Sequence, residues 1–233
     1  MGALTNRLAG LVRRVIAVEI DSELVSFMEE QGLPNNLELI NADMLKLDLS
    51  AIAEQNNSLL KIIGNLPYYI STQVVFHLIK YHSSINWAVL MFQKEVADRL
   101  LAMPGTKDYG IPTVLLKCYA DIEKIMDLAP GNFYPPPKVF SSVLKITFRP
   151  PLWEILDGKM LSQVVKISFA KRRKTIKNNL KGFSGLDTKH INSLLELCGI
   201  DPKSRAETIS PQKFSELANL IYQELHGKRQ VSR

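Results

Sequence analysis

Cysteine is nearly missing from this sequence. The two that occur, Cys118 and Cys198, lie far apart in apolar stretches. That excludes a disulfide framework and a paired-cysteine zinc site, and both read as reduced core thiols. The four histidines are scattered without ligand spacing, so no metal is expected. There is no apolar run of about 18 residues, hence no helical membrane span. The opening "MGALTNRLAGLVRRVIAVEID" has no signal-peptide order: its arginines follow the short apolar stretch and strand-like sequence comes next. Repeats and low-complexity segments are absent too. A soluble, intracellular, cytoplasmic protein is expected, with plastid and mitochondrion as compatible compartments.

What is present is a large apolar content and an uneven charge. Of 233 residues, 46% are hydrophobic, enough for a sizeable core in one large domain or two unequal ones. Residues 149–233 hold 16 Lys and Arg against 8 Asp and Glu, a net +8. Residues 1–148 hold 13 against 15, a net −2. A basic final third on a near-neutral body points to a polyanion-binding module, a solubilising surface being the plainer alternative.

Strand-like runs fall at 15–19, 37–41, 61–65, 88–92, 114–124 and 142–148, with helix-like stretches at 22–31, 72–82 and 94–103 between the earlier ones. Such alternation predicts an α/β fold, a mostly parallel sheet covered by helices. The Pro-rich "LAPGNFYPPPKVF" separates the last two runs, which are expected to pair as an antiparallel hairpin at one edge. After "FRPPLW" only helical patterns follow, the last with Ser210 as N-cap and Pro211 at the first helical position. The predicted division is residues 1–149 for the sheet domain and 150–233 for a small all-helical domain.

Ligands of open α/β sheets bind beyond the carboxyl ends of the strands. One strand ends "AVEID". Glu19 there suits the two hydroxyls of a nucleotide ribose, while Asp21 suits a helix start. The next ends "LINADML", where Asp43 either meets an adenine amino group or caps a turn. The third ends "IIGNLPYYIST". An exocyclic adenine amine is a poor nucleophile, because its lone pair is delocalised into the ring. Two fixed oxygens accepting its N–H groups favour a pyramidal nitrogen. Asn65 offers one oxygen through its side chain and Leu66 another through its carbonyl. Pro67 stiffens the turn, and Tyr68 offers a stacking face for a base taken out of its stack. An Asx turn followed by core aromatics is the competing reading.

The succession "AVEID", "NADML", "NLPYYIST", "FQKEVADRL", "YGIPTVL", "NFYPPPKVFSSV", "KRRKTIKNNL" resembles the ribosomal RNA adenine N6-dimethyltransferases of the small-subunit (KsgA) type, from residue 2 to about residue 220. The resemblance implies a class I, Rossmann-like methyltransferase fold with a helical C-terminal domain and S-adenosylmethionine (SAM) as donor. It implies two adjacent adenosines near the 3′ end of small-subunit rRNA as substrate, the immature small subunit as partner, a monomer, and no membrane. Carried over, Gly2, Glu19, Ile20, Asp43, Met44 and Asn65 hold the cofactor. Asn65, Leu66, Pro67 and Tyr68 are catalytic, and Tyr68 and Phe133 sandwich the base. Arg172, Arg173, Lys174 and Lys177 contact RNA, read here as a helix on which Arg173 and Lys177 share a face. Gln93 and Glu95 fall in a family motif but are given no chemistry.

Three departures stand out. Phe140 replaces the acid of the usual "PKVDS", and Gln73 replaces the proline after "IST". Where the family reads E-x-G-x-G-x-G-x-L-T, this chain starts "MGALT". The strand before that loop and its first glycines are therefore expected to be lacking, leaving an unpaired backbone ladder and weak SAM binding. A non-catalytic rRNA-binding assembly factor is the alternative function, and a large-subunit methyltransferase of the antibiotic-resistance type a third.

Overall fold

The computed structural model describes residues 3–230. Two compact units divide the chain, Met1–Ile52 and Ala53–Arg233.

The first unit runs α1 (Ala3–Ala9), β1 (Val15–Glu19), α2 (Ser22–Glu30) and β2 (Leu37–Asn41). β1 and β2 pair in parallel from Val15 opposite Leu37 to Glu19 opposite Asn41. Parallel neighbours need a crossover, and α2 supplies it. Asp21 caps α2, its Oδ1 accepting from the Glu23 and Leu24 amides at 2.9 and 3.3 Å, the helix-start role read for it. The Asn36 amide anchors the other end by donating to the Ala9 and Val12 carbonyls at 2.8 and 2.9 Å. Helix α3 (Leu49–Gln55) crosses the division between the units.

The second unit contains β3 (Leu60–Asn65), α4 (Ser71–Lys80), β4 (Ile85–Gln93), α5 (Lys94–Leu101), α6 (Ile111–Tyr119), β5 (Ala120–Leu128) and β6 (Ser141–Phe148). Helices α7 (Gly158–Ser168), α8 (Ile176–Leu180), α9 (Thr188–Leu197) and α10 (Pro211–Gln230) follow. Its sheet has the order β3-β4-β6-β5. β3 and β4 are parallel; β6 runs antiparallel to both β4 and β5. The expected edge hairpin is thus β5–β6. Leu90 and Phe92 of β4 and Leu144 and Ile146 of β6 are fully buried and form the centre of the core. The helical C-terminal segment packs into this same unit. The Tyr109 hydroxyl donates to the Ile209 carbonyl at 2.9 Å, and the Cys118 thiol meets the Ser215 hydroxyl at 3.8 Å. Both cysteines are free and buried.

One strand expectation fails. Residues 114–124 were expected as a strand, but Ile111–Tyr119 is helical and β5 starts only at Ala120. Pro112 sits in the first turn after an extended Gly110, which starts a helix. Burial of Thr113, Val114, Leu115, Leu116, Cys118 and Tyr119 leaves little amphipathic stripe to read. Among the described residues, β1 pairs only with β2, and β3 only with β4.

Candidate active site

In the first unit, the parallel pairing brings Glu19 and Asp43 to one sheet end. The Asn41 side chain, which the sequence reading passed over, locks that end by donating to the Glu19 and Ile20 carbonyls at 2.9 and 3.2 Å. The Ala42 amide also donates to the Glu19 carbonyl, at 3.0 Å. Glu19 turns back on its own chain: Oε1 accepts from the Ile20 and Asp21 amides at 2.8 and 3.0 Å. Its other oxygen carries no hydrogen bond among the described residues. The carboxylate is therefore fixed in direction with one acceptor to spare, as a ribose diol needs. Asp43 caps the short turn Met44–Lys46 through Oδ1 to the Leu45 amide at 3.0 Å, which leaves Oδ2 available. Ile20 is exposed and Met44 half-buried. These residues fit the adenosine end of SAM, two acceptors with apolar neighbours. Gly2 lies outside the described residues.

In the second unit, β3 ends at Asn65, and Leu66-Pro67 lead into a single turn, Tyr68–Ile70, ahead of α4. The Asn65 side chain is exposed and makes no hydrogen bond among the described residues, so the Asx turn is not formed. The Leu66 carbonyl is likewise without a backbone donor, whereas that of Pro67 is taken by the Ile70 amide at 3.1 Å. Two acceptors thus stand unengaged at the strand end. Nor do the paired tyrosines enter a core: Tyr69 is 81% exposed. Tyr68 is half-buried, and its hydroxyl lies 2.6 Å from Ser141 Oγ at the start of β6, another partner not foreseen from sequence.

Phe133 follows the turn Pro130–Asn132 in the β5–β6 loop, its amide donating to the Pro130 carbonyl at 3.2 Å. It is half-buried, while its neighbour Tyr134 is fully exposed. The Ser142 hydroxyl beside this loop donates to Asp127 at 2.5 Å, and Lys124 pairs with the same carboxylate at 3.0 Å. These bonds hold the Asp127 carboxyl below the usual carboxylate range, the Ser142 hydroxyl contributing most. Glu95 pairs with Arg99 along α5 at 3.0 Å, in line with the structural role given to it.

The basic cluster is not helical. Lys171–Lys174 form a turn between α7 and α8, closed by the Lys174 amide on the Lys171 carbonyl at 2.9 Å. The physical reason lies at both ends. The Asn179 side chain takes the Ser168 carbonyl at 2.5 Å, capping α7, and Thr175 restarts the chain as the N-cap of α8. Arg172, Arg173 and Lys174 are exposed, and Lys177, on the next helix, is half-buried. Arg172 donates to the Lys107 carbonyl at 3.0 Å, so part of its guanidinium serves the fold.

An α/β arrangement with parallel pairs β1–β2 and β3–β4, an antiparallel β4-β6-β5 edge and a helical C-terminal segment is that of the Rossmann-like methyltransferases, as solved structures show. A dimethyladenosine transferase from Plasmodium falciparum superposes with a TM-score of 0.76 at 25% identity, covering 97% of this chain and 87% of that one. The 23S rRNA methyltransferase ErmE superposes at 0.65 and 24% identity, covering 95% and 87%, a likeness of fold. In sequence, the "Ribosomal RNA small subunit methyltransferase A" of Syntrophus aciditrophicus is 44% identical over 226 residues, 95% of this chain and 81% of that protein. Its namesake from Desulfotalea psychrophila is 41% identical, covering 97% and 80%. Residues 1–223 match the family "Ribosomal RNA adenine dimethylase". The chain belongs to the ribosomal RNA adenine dimethylase family.

Proposed function

We propose that this protein transfers methyl groups to the N6 amine of adenosines in small-subunit rRNA, converting two adjacent ones to N6,N6-dimethyladenosine during assembly of the small ribosomal subunit. The observation that carries the proposal is the pair of unengaged acceptors, the Asn65 side chain and the Leu66 carbonyl, beside the half-buried ring of Tyr68. Family membership and the names of the relatives support the substrate. Those names also favour the small subunit over the large.

In this reading Glu19, Ile20, Asp43 and Met44 hold the cofactor's adenosine end, and SAM, when bound, supplies an electrophilic methyl on a sulfonium. Asn65 Oδ1 and the Leu66 carbonyl accept the two N–H groups of the target amine. Their fixed directions favour the pyramidal nitrogen and aim its lone pair at the methyl. As the new N–C bond forms, the S–C bond to that methyl breaks, its electron pair staying on sulfur as a neutral thioether, and the amine proton leaves to water. Pro67 restricts the turn that aims these oxygens. Tyr68 and Phe133 supply the faces against which the extruded base lies. Residues 1–149 form the catalytic part and 150–233 the RNA-binding part, with Arg172, Arg173, Lys174 and Lys177 on phosphates. The protein acts as a cytoplasmic monomer.

The test is transfer of tritiated methyl to unmethylated small-subunit rRNA. Asn65→Ala removes one pre-aimed acceptor and should cost ~10²–10³ in rate with rRNA affinity retained. Near-normal turnover by that variant ends the clamp assignment. Absence of SAM binding by calorimetry in the unaltered protein turns the reading to a non-catalytic assembly factor.

A further inference from the structure

Tyr68 stands on a short turn with no side-chain cap, next to a tyrosine that points into solvent. A ring so placed has no rigid element of its own to fix its plane, yet a stacking face must hold its orientation to present a base productively. Its phenol meets one polar atom in the described structure, Ser141 Oγ at 2.6 Å. Ser141 is fully buried, and its backbone is held from several directions. It pairs with Gln93 on β4 and with Leu128 on β5. On one side, the Phe140 carbonyl accepts from the Lys94 amide at 2.9 Å. On the other, the Ser142 hydroxyl is bonded to Asp127. The serine hydroxyl is therefore a rigid post at the end of a central strand.

We propose that Ser141 is a positioning residue for the methyl-transfer reaction: through its hydrogen bond to the Tyr68 phenol it fixes the plane of the ring on which the target adenine stacks. The inference rests on the adenine-clamp reading of Tyr68. It assigns to the first residue of β6 a part in catalysis that involves no contact with the base by Ser141 itself.

The test uses the full chain and an rRNA hairpin carrying 2-aminopurine at the target position, whose fluorescence is quenched by stacking; it needs no methyl donor. Loss of one hydrogen bond should lower the ratio of stacked to unstacked base about fivefold in Ser141→Ala. Tyr68→Phe, which keeps the ring and removes the phenol oxygen, should produce the same loss. The double variant should be no worse than either single one, because both remove the same bond. Rescue by Ser141→Thr, with an unchanged unfolding midpoint, adds support. Wild-type quenching in Ser141→Ala, or a further loss when it is added to Tyr68→Phe, overturns the proposal. Tyr68→Ala separates the two layers: if it leaves quenching intact, the stacking reading fails and this inference with it. If it abolishes quenching while Ser141→Ala does not alter it, Ser141 alone is misassigned.

Discussion

Asn65 and Asp43 illustrate how far single residues can be read. The type and order of side chains in "NLPYY" suit an amine-holding turn or an Asx turn, and the coordinates speak against the second, because the Asn65 side chain makes no hydrogen bond among the described residues. Asp43 caps a turn with one oxygen, one of the two readings given for it, and its other oxygen has no hydrogen bond among the described residues. The partners that orient the site were invisible in sequence. Asn41 and Ser141 are polar residues in strands, with nothing in their neighbourhood to announce a long-range bond. The thiols and one buried phenol carry a pH prediction. Burial pushes the Cys118 thiol up from 9.0 to about 11 and the Tyr119 hydroxyl up from 10.0 to about 12. Raised acids favour the neutral form in the folded state. Their contribution is therefore complete below pH 9 and is lost as pH rises through about 11 to 12. Urea midpoints at pH 8 and pH 11 should show the fall, while Ellman's reagent at pH 8 should find both cysteines unreactive in the folded protein.

Elements were legible wherever one face is wet. β1, β2, α2 and α5 lie within a few residues of their expected positions, because each is half-exposed and its periodicity survives. α6 was misread because it is apolar nearly all round, and a buried helix and a buried strand then look alike. The basic stretch was misread for the opposite reason: Lys and Arg suit a helix, and the buried Asn179 side chain that ends α7 outweighs their propensity. The turn geometry sharpens the RNA prediction. Replacing Arg173, Lys174 and Lys177 by Ala should weaken rRNA binding and shallow its dependence on salt by roughly 0.7–0.9 in log–log slope per lost phosphate contact. Adding Arg172→Ala should also lower stability, since its guanidinium braces the Lys107 carbonyl. Filter binding across a salt series checks the first, and thermal unfolding the second. An unchanged slope returns the turn to an ordinary solvated surface.

At the scale of the molecule, burial is unevenly shared. No described side chain of Met1–Ile52 is fully enclosed: its best-buried apolar residues, Leu49, Val25, Leu37 and Ala9, keep 5–8% of their surface. The second unit holds Val74, Leu90, Phe92, Leu116, Leu144, Leu161 and Phe214 at zero. Local stability follows enclosed apolar area, so hydrogen exchange should be faster for the β1–β2 amides than for those joining β4 to β6. Equal protection of both ladders by mass spectrometry would contradict this. The division also governs what light can report. Both tryptophans, Trp87 and Trp153, and all seven tyrosines belong to the second unit; Phe27 is the only aromatic side chain before residue 53. Intrinsic fluorescence is therefore blind to the segment that carries Glu19 and Asp43. A denaturation curve followed by emission will look like a single clean transition even while that segment melts earlier, and circular dichroism at 222 nm, which registers α1 and α2, should depart from it at lower denaturant.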